Sequence, residues 1–233
     1  MTKQVRVAFA GVGNCTSSLI QGLIYYRELE DTELVPGLMH PVLGDYRIRD
    51  IVPVAAFDID PRKVGKDLGE AIFAPPNDTY KISDVLPFDV EVMMGPVMDG
   101  RPSHLQLAKR GESKSVTKEA AVHSMVPYEF PMSSGFAFLE TQEDTKTAII
   151  WLEGEKFEGA PIHLLAKLDV EDSPNSAGVI IDAIRCCKIA RDRGVIGVLE
   201  SASAYLMKHP PRQFPDEEAR QMLEEFITGD RER

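Results

Sequence analysis

The chain is short of positive charge. Its 233 residues carry 26 lysines and arginines against 37 aspartates and glutamates, a formal charge of −11. Such an acidic surface argues against bulk binding to nucleic acid or to an anionic membrane. A local lysine cluster can still oppose the global sign, so a small anionic substrate remains compatible. Long apolar runs are also lacking: none approaches the ~18 residues that read as a membrane-spanning helix. The six-residue apolar stretch after Met1–Arg6 is too short for a secretory h-region. Cysteine is scarce. Cys15, Cys186 and Cys187 form no Cys-x-x-Cys pair, which predicts free thiols in a reducing cytoplasm and neither a disulfide framework nor a metal site. Without a secretory signal, the glycosylation matches at Asn14-Cys15-Thr16 and Asn77-Asp78-Thr79 carry no weight. There is no His-Glu-x-x-His, Gly-x-Ser-x-Gly or Walker loop, no internal repeat and no low-complexity segment.

What is present suits a globular chain. Apolar residues make up 43%, enough for a core, and the length fits one large domain or two small ones. Val5–Ala10 reads as a short buried strand, Gly11-Val12-Gly13-Asn14 as a turn, and Ser17–Arg27 as a helix with apolar positions at Leu19, Leu23 and Tyr26. Residues 28–50, broken by Pro36, Gly37, Pro41 and Gly44, read as a long insertion loop of a length that suggests function. Ile51–Phe57 is a second buried strand ending at Asp58. Pro61 suits the first position of a helix over Arg62–Leu68, and Val90–Met94 is a third strand. In the second half, residues 103–123 are helix-prone and 127–135 a loop. Thr147–Leu152 and Ile162–Val170 read as strands around a turn near Glu158-Gly159, with Trp151 as a core residue. Ser176–Arg193 is a helix stopped by Gly194 and capped by Ser173 or Asn175. A last helix starts near Asp216 and buries Ala219, Met222, Leu223 and Phe226.

Two patterns carry chemistry. Glycines between a strand and a helix let backbone approach a pyrophosphate, and the helix N-terminus supplies oriented N–H groups. Gly11, Gly13 and Asn14 stand there, although Thr16 replaces the third glycine. Asp58, at the end of the second strand, can hold an adenine ribose, but the insertion carries it well beyond the usual spacing of about 20 residues. An ordinary tight turn and a solvated aspartate would share either feature alone; strand, turn, helix and strand-end Asp together point to a dinucleotide. Lys114 and Lys118 share one face of a helix at i, i+4 and could flank a phosphate. Taken alone they read more simply as a solvated basic face. Lys208 alone reads as a cation at a helix end.

Taken together, these strings resemble the myo-inositol-1-phosphate synthase (inositol-3-phosphate synthase) family in its shorter prokaryotic form. The resemblance runs through Val35-Pro36-Gly37-Leu38-Met39-His40, Ala55-Ala56-Phe57-Asp58 and Gly95-Pro96 with Asp99-Gly100. It continues through Ser113-Lys114 with Thr117-Lys118, Asp144-Thr145-Lys146, the highly specific Asp172-Ser173-Pro174-Asn175-Ser176-Ala177-Gly178, and Ser203–Lys208. It covers nearly the whole chain. One departure stands out: the family has a long segment between the elements like Gly95–Gly100 and Ser113–Lys118, and here only Arg101–Glu112 join them. Ser133-Ser134-Gly135 also stands where the family tends to have Asp-His.

The resemblance implies an α/β fold: a Rossmann-like NAD-binding part over 1–100, a shortened α+β catalytic and oligomerisation part over 101–172, and C-terminal helices over 173–233 packing back on the first part. It implies a homo-oligomer, a tetramer by family, in the cytoplasm. It also implies a redox-neutral conversion of glucose 6-phosphate to an inositol monophosphate. In that reaction C5 is oxidised by NAD, the C6 protons become acidic, an enolate closes on the C1 aldehyde, and the resulting ketone is reduced again. Such chemistry needs a cation near the C5 oxygen, acid/base groups and a phosphate clamp. The resemblance assigns Lys114 and Lys208 to the C5 oxygen and proton transfers, Lys118 and Lys146 to phosphate, and Asp172 to orienting a lysine. It assigns Gly11, Gly13, Asn14 and Asp58 to NAD. It names no metal ligand and leaves a cation of unspecified kind open. The shortening predicts impaired turnover. The alternative is a non-catalytic NAD- or sugar-phosphate-binding relative, and a third reading is an ordinary NAD-dependent dehydrogenase.

Overall fold

A computed structural model of the chain describes residues 3–31, 33, 36–96 and 140–233. The expected first strand, helix and second strand form as β1 (Val5–Ala10), α1 (Asn14–Tyr25) and β4 (Ile51–Asp58). β1 pairs with β4 in parallel, Val5 opposite Ile51 and Ala10 opposite Phe57. The register shifts between Val7 and Ala8, opposite Pro53. Proline has no N–H for a ladder and tolerates a central strand only at such an irregularity. β5 (Val92–Met94) pairs with β4 in parallel on its other side, giving the order β1-β4-β5. This is the α/β architecture the sequence predicts. The turn after β1, Asp58 closing β4 and Gly95 after β5 all lie at the carboxyl edge, where open α/β sheets bind ligands. Residues 28–50 include a small hairpin, β2 (Val42–Leu43) with β3 (Tyr46–Arg47), followed by a 3-10 turn at Ile48–Asp50.

The expected helix over Arg62–Leu68 does not form. Gly65 adopts φ +83°, outside helical space. The helix starts later, as α2 (Leu68–Ala71), where the Asp67 carboxylate accepts from Gly69 N–H. β6 (Thr145–Glu155) and β7 (Pro161–Glu171) form an antiparallel hairpin whose turn uses positive φ at Glu158 and Gly159. Trp151, expected in the core, is 63% exposed there. No described element covers this hairpin, so an apolar strand pattern does not place the residue inside.

α3 (Asp172–Asp192) starts four residues earlier than the sequence suggests. Ser173 and Asn175 therefore lie within the helix and are not its cap. The start is held from outside: Asp144 O accepts from Asp172 N–H at 3.0 Å, and the Asp144 carboxylate accepts from Ser173 N–H at 3.3 Å. α3 packs along α1, where Gly22 leaves room for Ile181. α4 (Glu200–Leu206) and α5 (Asp216–Thr228) complete the chain, and Ala219, Met222, Leu223 and Phe226 are buried as expected. One core joins Val5, Phe9, Ile20, Ile51, Ile181 and Phe226. The three thiols are free, and burial pushes that of Cys186 up to about 12. No described helix is long and apolar enough to cross a membrane.

Candidate cofactor and substrate site

The glycine turn is fixed by the groups beneath it. Gly11 N–H donates to Phe57 O at 2.8 Å, and Thr16 Oγ1 donates to Gly11 O at 2.8 Å. Thr16, the departure from the third glycine, thus secures a carbonyl of the turn. Val12 N–H donates to Asp58 Oδ2 at 2.6 Å, and the other oxygen of Asp58 accepts from Ile59 and Asp60 N–H. Val12 O accepts from Lys63 Nζ at 2.7 Å and from Asn77 Nδ2 at 3.1 Å.

The upper side of the turn is open. A Cβ built on Gly11 or Gly13 meets nothing within 4 Å, and Gly11 sits at φ +95°, where a side chain would be strained. Among the described residues, the N–H groups of Gly13, Asn14 and Cys15 have no protein acceptor. Oriented donors at a helix start facing open space suit an anion. The residues present therefore fit the pyrophosphate of a dinucleotide. Three of the roughly four acceptor sites of the Asp58 carboxylate are occupied, leaving one for a ribose hydroxyl.

A polar cluster lies at the start of α1. The Asn14 side chain donates to Asp78 and, at 3.4 Å, to Asp144 Oδ1, while accepting from Asp78 N–H. Thr79 Oγ1 and Ser173 Oγ also donate to the Asp144 carboxylate, at 3.1 and 2.7 Å. Asp144 therefore joins the N-termini of α1 and α3. Two residues along β6, Lys146 Nζ pairs with Asp172 Oδ1 at 2.6 Å, with both side chains about half exposed. Asp172 is thus placed on Lys146, and this pair adjoins the cofactor turn through Asp144 and Ser173. Lys208 lies exposed just past α4. Lys114 and Lys118 lie outside the described residues. Among the described residues no cluster of three acidic, His or Cys side chains could hold a metal.

Sequence reasoning missed Asp144, Lys63 and the Asn77–Thr79 loop. Asp144 had a signal, its place beside Lys146 in Asp144-Thr145-Lys146. Asn77 and Thr79 read only as a glycosylation match, yet they secure the turn and the Asp144 cluster. Lys63 had no signal, because its burial arises in tertiary structure. It is 3% exposed, and burial pulls its ammonium below the ordinary value while Asp58 and Asp60 work in the opposite direction.

Comparisons with known proteins bear on the family and the fold. The sequence model of the myo-inositol-1-phosphate synthase family matches residues 98–173. Inositol-3-phosphate synthase of Mycobacterium tuberculosis is 35% identical over 356 aligned positions, covering 97% of this chain and 96% of that protein. With 233 residues here, that relative carries a long internal segment with no counterpart in this chain. Among solved structures, Ari2 superposes with a TM-score of 0.73 at 21% identity, covering 97% of this chain and 99% of that one. A myo-inositol-1-phosphate synthase-related protein from Thermotoga maritima superposes at 0.68 with 17% identity, covering 97% and 98%.

Proposed function

Because the chain belongs to the myo-inositol-1-phosphate synthase family, we propose that it binds NAD at the Gly11–Asn14 turn and glucose 6-phosphate at its lysines. We further propose that it converts this sugar to an inositol monophosphate poorly. The observation that carries the reading is the glycine turn itself, with its outward N–H groups unpaired and Asp58 alongside. When bound there, NAD supplies reversible hydride chemistry at C5.

The chain's own residues do the rest. Gly13, Asn14 and Cys15 N–H groups bind the pyrophosphate, and Asp58 accepts from the adenine ribose. Lys118 and Lys146 clamp the sugar phosphate, with Asp172 holding the Lys146 ammonium in place. Lys114 and Lys208 offset negative charge on the C5 oxygen and move protons during enolisation.

The described sheet has only three strands, and the curated relative carries a long internal segment that this chain lacks. Holding reactants in place supplies about 7–11 kcal/mol of catalysis, and hydride transfer depends on such placement far more than charge attraction does. That observation also favours the second reading, a relative that binds NAD or sugar phosphate without turnover. The test is incubation with glucose 6-phosphate and NAD, followed by an assay for inositol phosphate. Slow product formation without net NADH is expected. Binding with no product favours the second reading, and net NADH formation would replace both with a simple dehydrogenase.

A further inference from the structure

We infer that Lys63 is a positioning residue for the cofactor turn: by holding Val12 O from below, it aims the Gly13 N–H at the pyrophosphate. The inference rests on the NAD reading and deepens it, since nothing in the glycine pattern itself calls for a buried lysine.

The argument is geometric. A trans peptide is planar, with its C=O and N–H pointing in opposite directions. The only cis bond among the described residues is Pro75–Pro76, so the Val12–Gly13 peptide is trans. Its carbonyl is drawn inward by Lys63 Nζ at 2.7 Å and Asn77 Nδ2 at 3.1 Å. Its N–H, on Gly13, must then point outward, over the open side where no protein atom accepts it. The preceding peptide is held the opposite way up, with Val12 N–H on Asp58 and Gly11 O on Thr16.

The turn therefore alternates, one peptide facing in and the next facing out. Glycines at 11 and 13 make a flip of the intervening peptides inexpensive, so the alternation needs an external hold. Lys63 is suited to that task because it is itself fixed. Its ammonium also donates to Asn77 Oδ1 at 2.7 Å, and Asn77 Nδ2 is tied in turn to Ile72 O at 2.9 Å. The lysine and asparagine form a closed pair under one carbonyl. The buried ammonium adds positive charge beneath the site without occupying it, on a protein whose net charge would otherwise repel a dinucleotide.

The test compares NAD with adenosine, which shares the adenine ribose but has no phosphate. Both are titrated calorimetrically against the intact protein, Lys63→Met and Asn77→Ala, and amide exchange at Val12, whose N–H donates to Asp58, is followed without ligand. Lys63→Met is expected to weaken NAD by about tenfold or more while leaving adenosine within about twofold, and to speed Val12 exchange. Asn77→Ala, which removes one of the two donors, gives a smaller effect in the same direction and stands in if Lys63→Met fails to fold. An equal loss for both ligands would mean a merely structural role and overturn the inference, as would unchanged NAD affinity in both variants. If the intact protein bound no NAD, the cofactor reading would fall. Unchanged Val12 exchange in both variants would separately refute the hold on the turn.

Discussion

At the scale of single residues, Asp58 shows what local sequence can and cannot reveal. Its place at the end of a buried strand is legible, because Ile51–Phe57 is an apolar run between turn signals. Its bond to Val12 N–H is not, because it joins residues that meet only when β1 and β4 pair. That bond gives Asp58 two tasks, shaping the turn and facing the ribose. A carboxylate there repels a 2′-phosphate and accepts from a 2′-hydroxyl. The intact protein should therefore bind NAD and discriminate against NADP. Asp58→Ala should weaken NAD by about tenfold or more, since it removes both an acceptor for ribose and the acceptor of Val12 N–H. It should also narrow the gap between the two cofactors. Dissociation constants for both, measured on both proteins, check this; equal affinities in the intact protein would contradict the assignment.

At the scale of elements, the strings of the second half prove to be packing devices as well as site residues. In Asp172–Gly178 the glycine is demanded by contact: a Cβ on Gly178 would lie 1.9 Å from Gly37 O. α3 can rest against the residue 36–38 backbone only if nothing projects there. The start of α3 was not legible because its support comes from Asp144, distant in sequence. The Arg62–Leu68 helix failed because Gly65 turns the chain before a helix can nucleate. Beside Gly37, His40 clamps the insertion to two helices. Its Nδ1 lies 2.5 Å from Asp182 Oδ2 on α3 and its Nε2 3.1 Å from Glu224 Oε1 on α5. Arg185, fully buried, pairs with Asp182 and donates to His40 O at 2.7 Å. The hydrogen bond to Asp182, with Glu224 assisting against desolvation, holds the His40 imidazole above its ordinary 6.5. A raised folded value means the stabilisation is complete below about pH 6.5 and is lost as pH rises through the folded value. Thermal melts should therefore show stability falling from about pH 6.5 upward, more steeply than in His40→Gln. Parallel pH curves for the two proteins would contradict the clamp.

At the scale of the whole molecule, the β6–β7 hairpin is not stable alone in water, since two strands form a marginal unit. Its pairing places Ile149, Trp151 and Leu165 on one face, and Ile150, Leu152, Leu164 and Leu168 on the other. All seven are exposed, Ile149 at 69% and Leu165 at 65% among them. The strands were legible from their apolar runs, yet no described element covers either face, because sequence pattern marks a surface for burial without naming what buries it. Antiparallel sheets commonly leave one face to water and make it polar; here Glu153, His163, Lys167 and Asp169 share the face of Trp151, whereas the opposite face, through Ile150, Leu152, Leu164 and Leu168, is apolar apart from Lys146 at its end. A second copy of the chain is the cover expected from the family resemblance, and its hairpin would present the same two faces. Stable interfaces bury about 1,200–2,000 Å², within reach of two such hairpins packed face to face. The chain should therefore run above its 25.9 kDa monomer mass in light scattering at micromolar concentration. Leu164→Glu would place a charge in the contact without touching the cofactor turn, so it should shift the population toward monomer while NAD affinity stays within about twofold. A monomeric intact protein would mean that this hairpin is covered from within the chain.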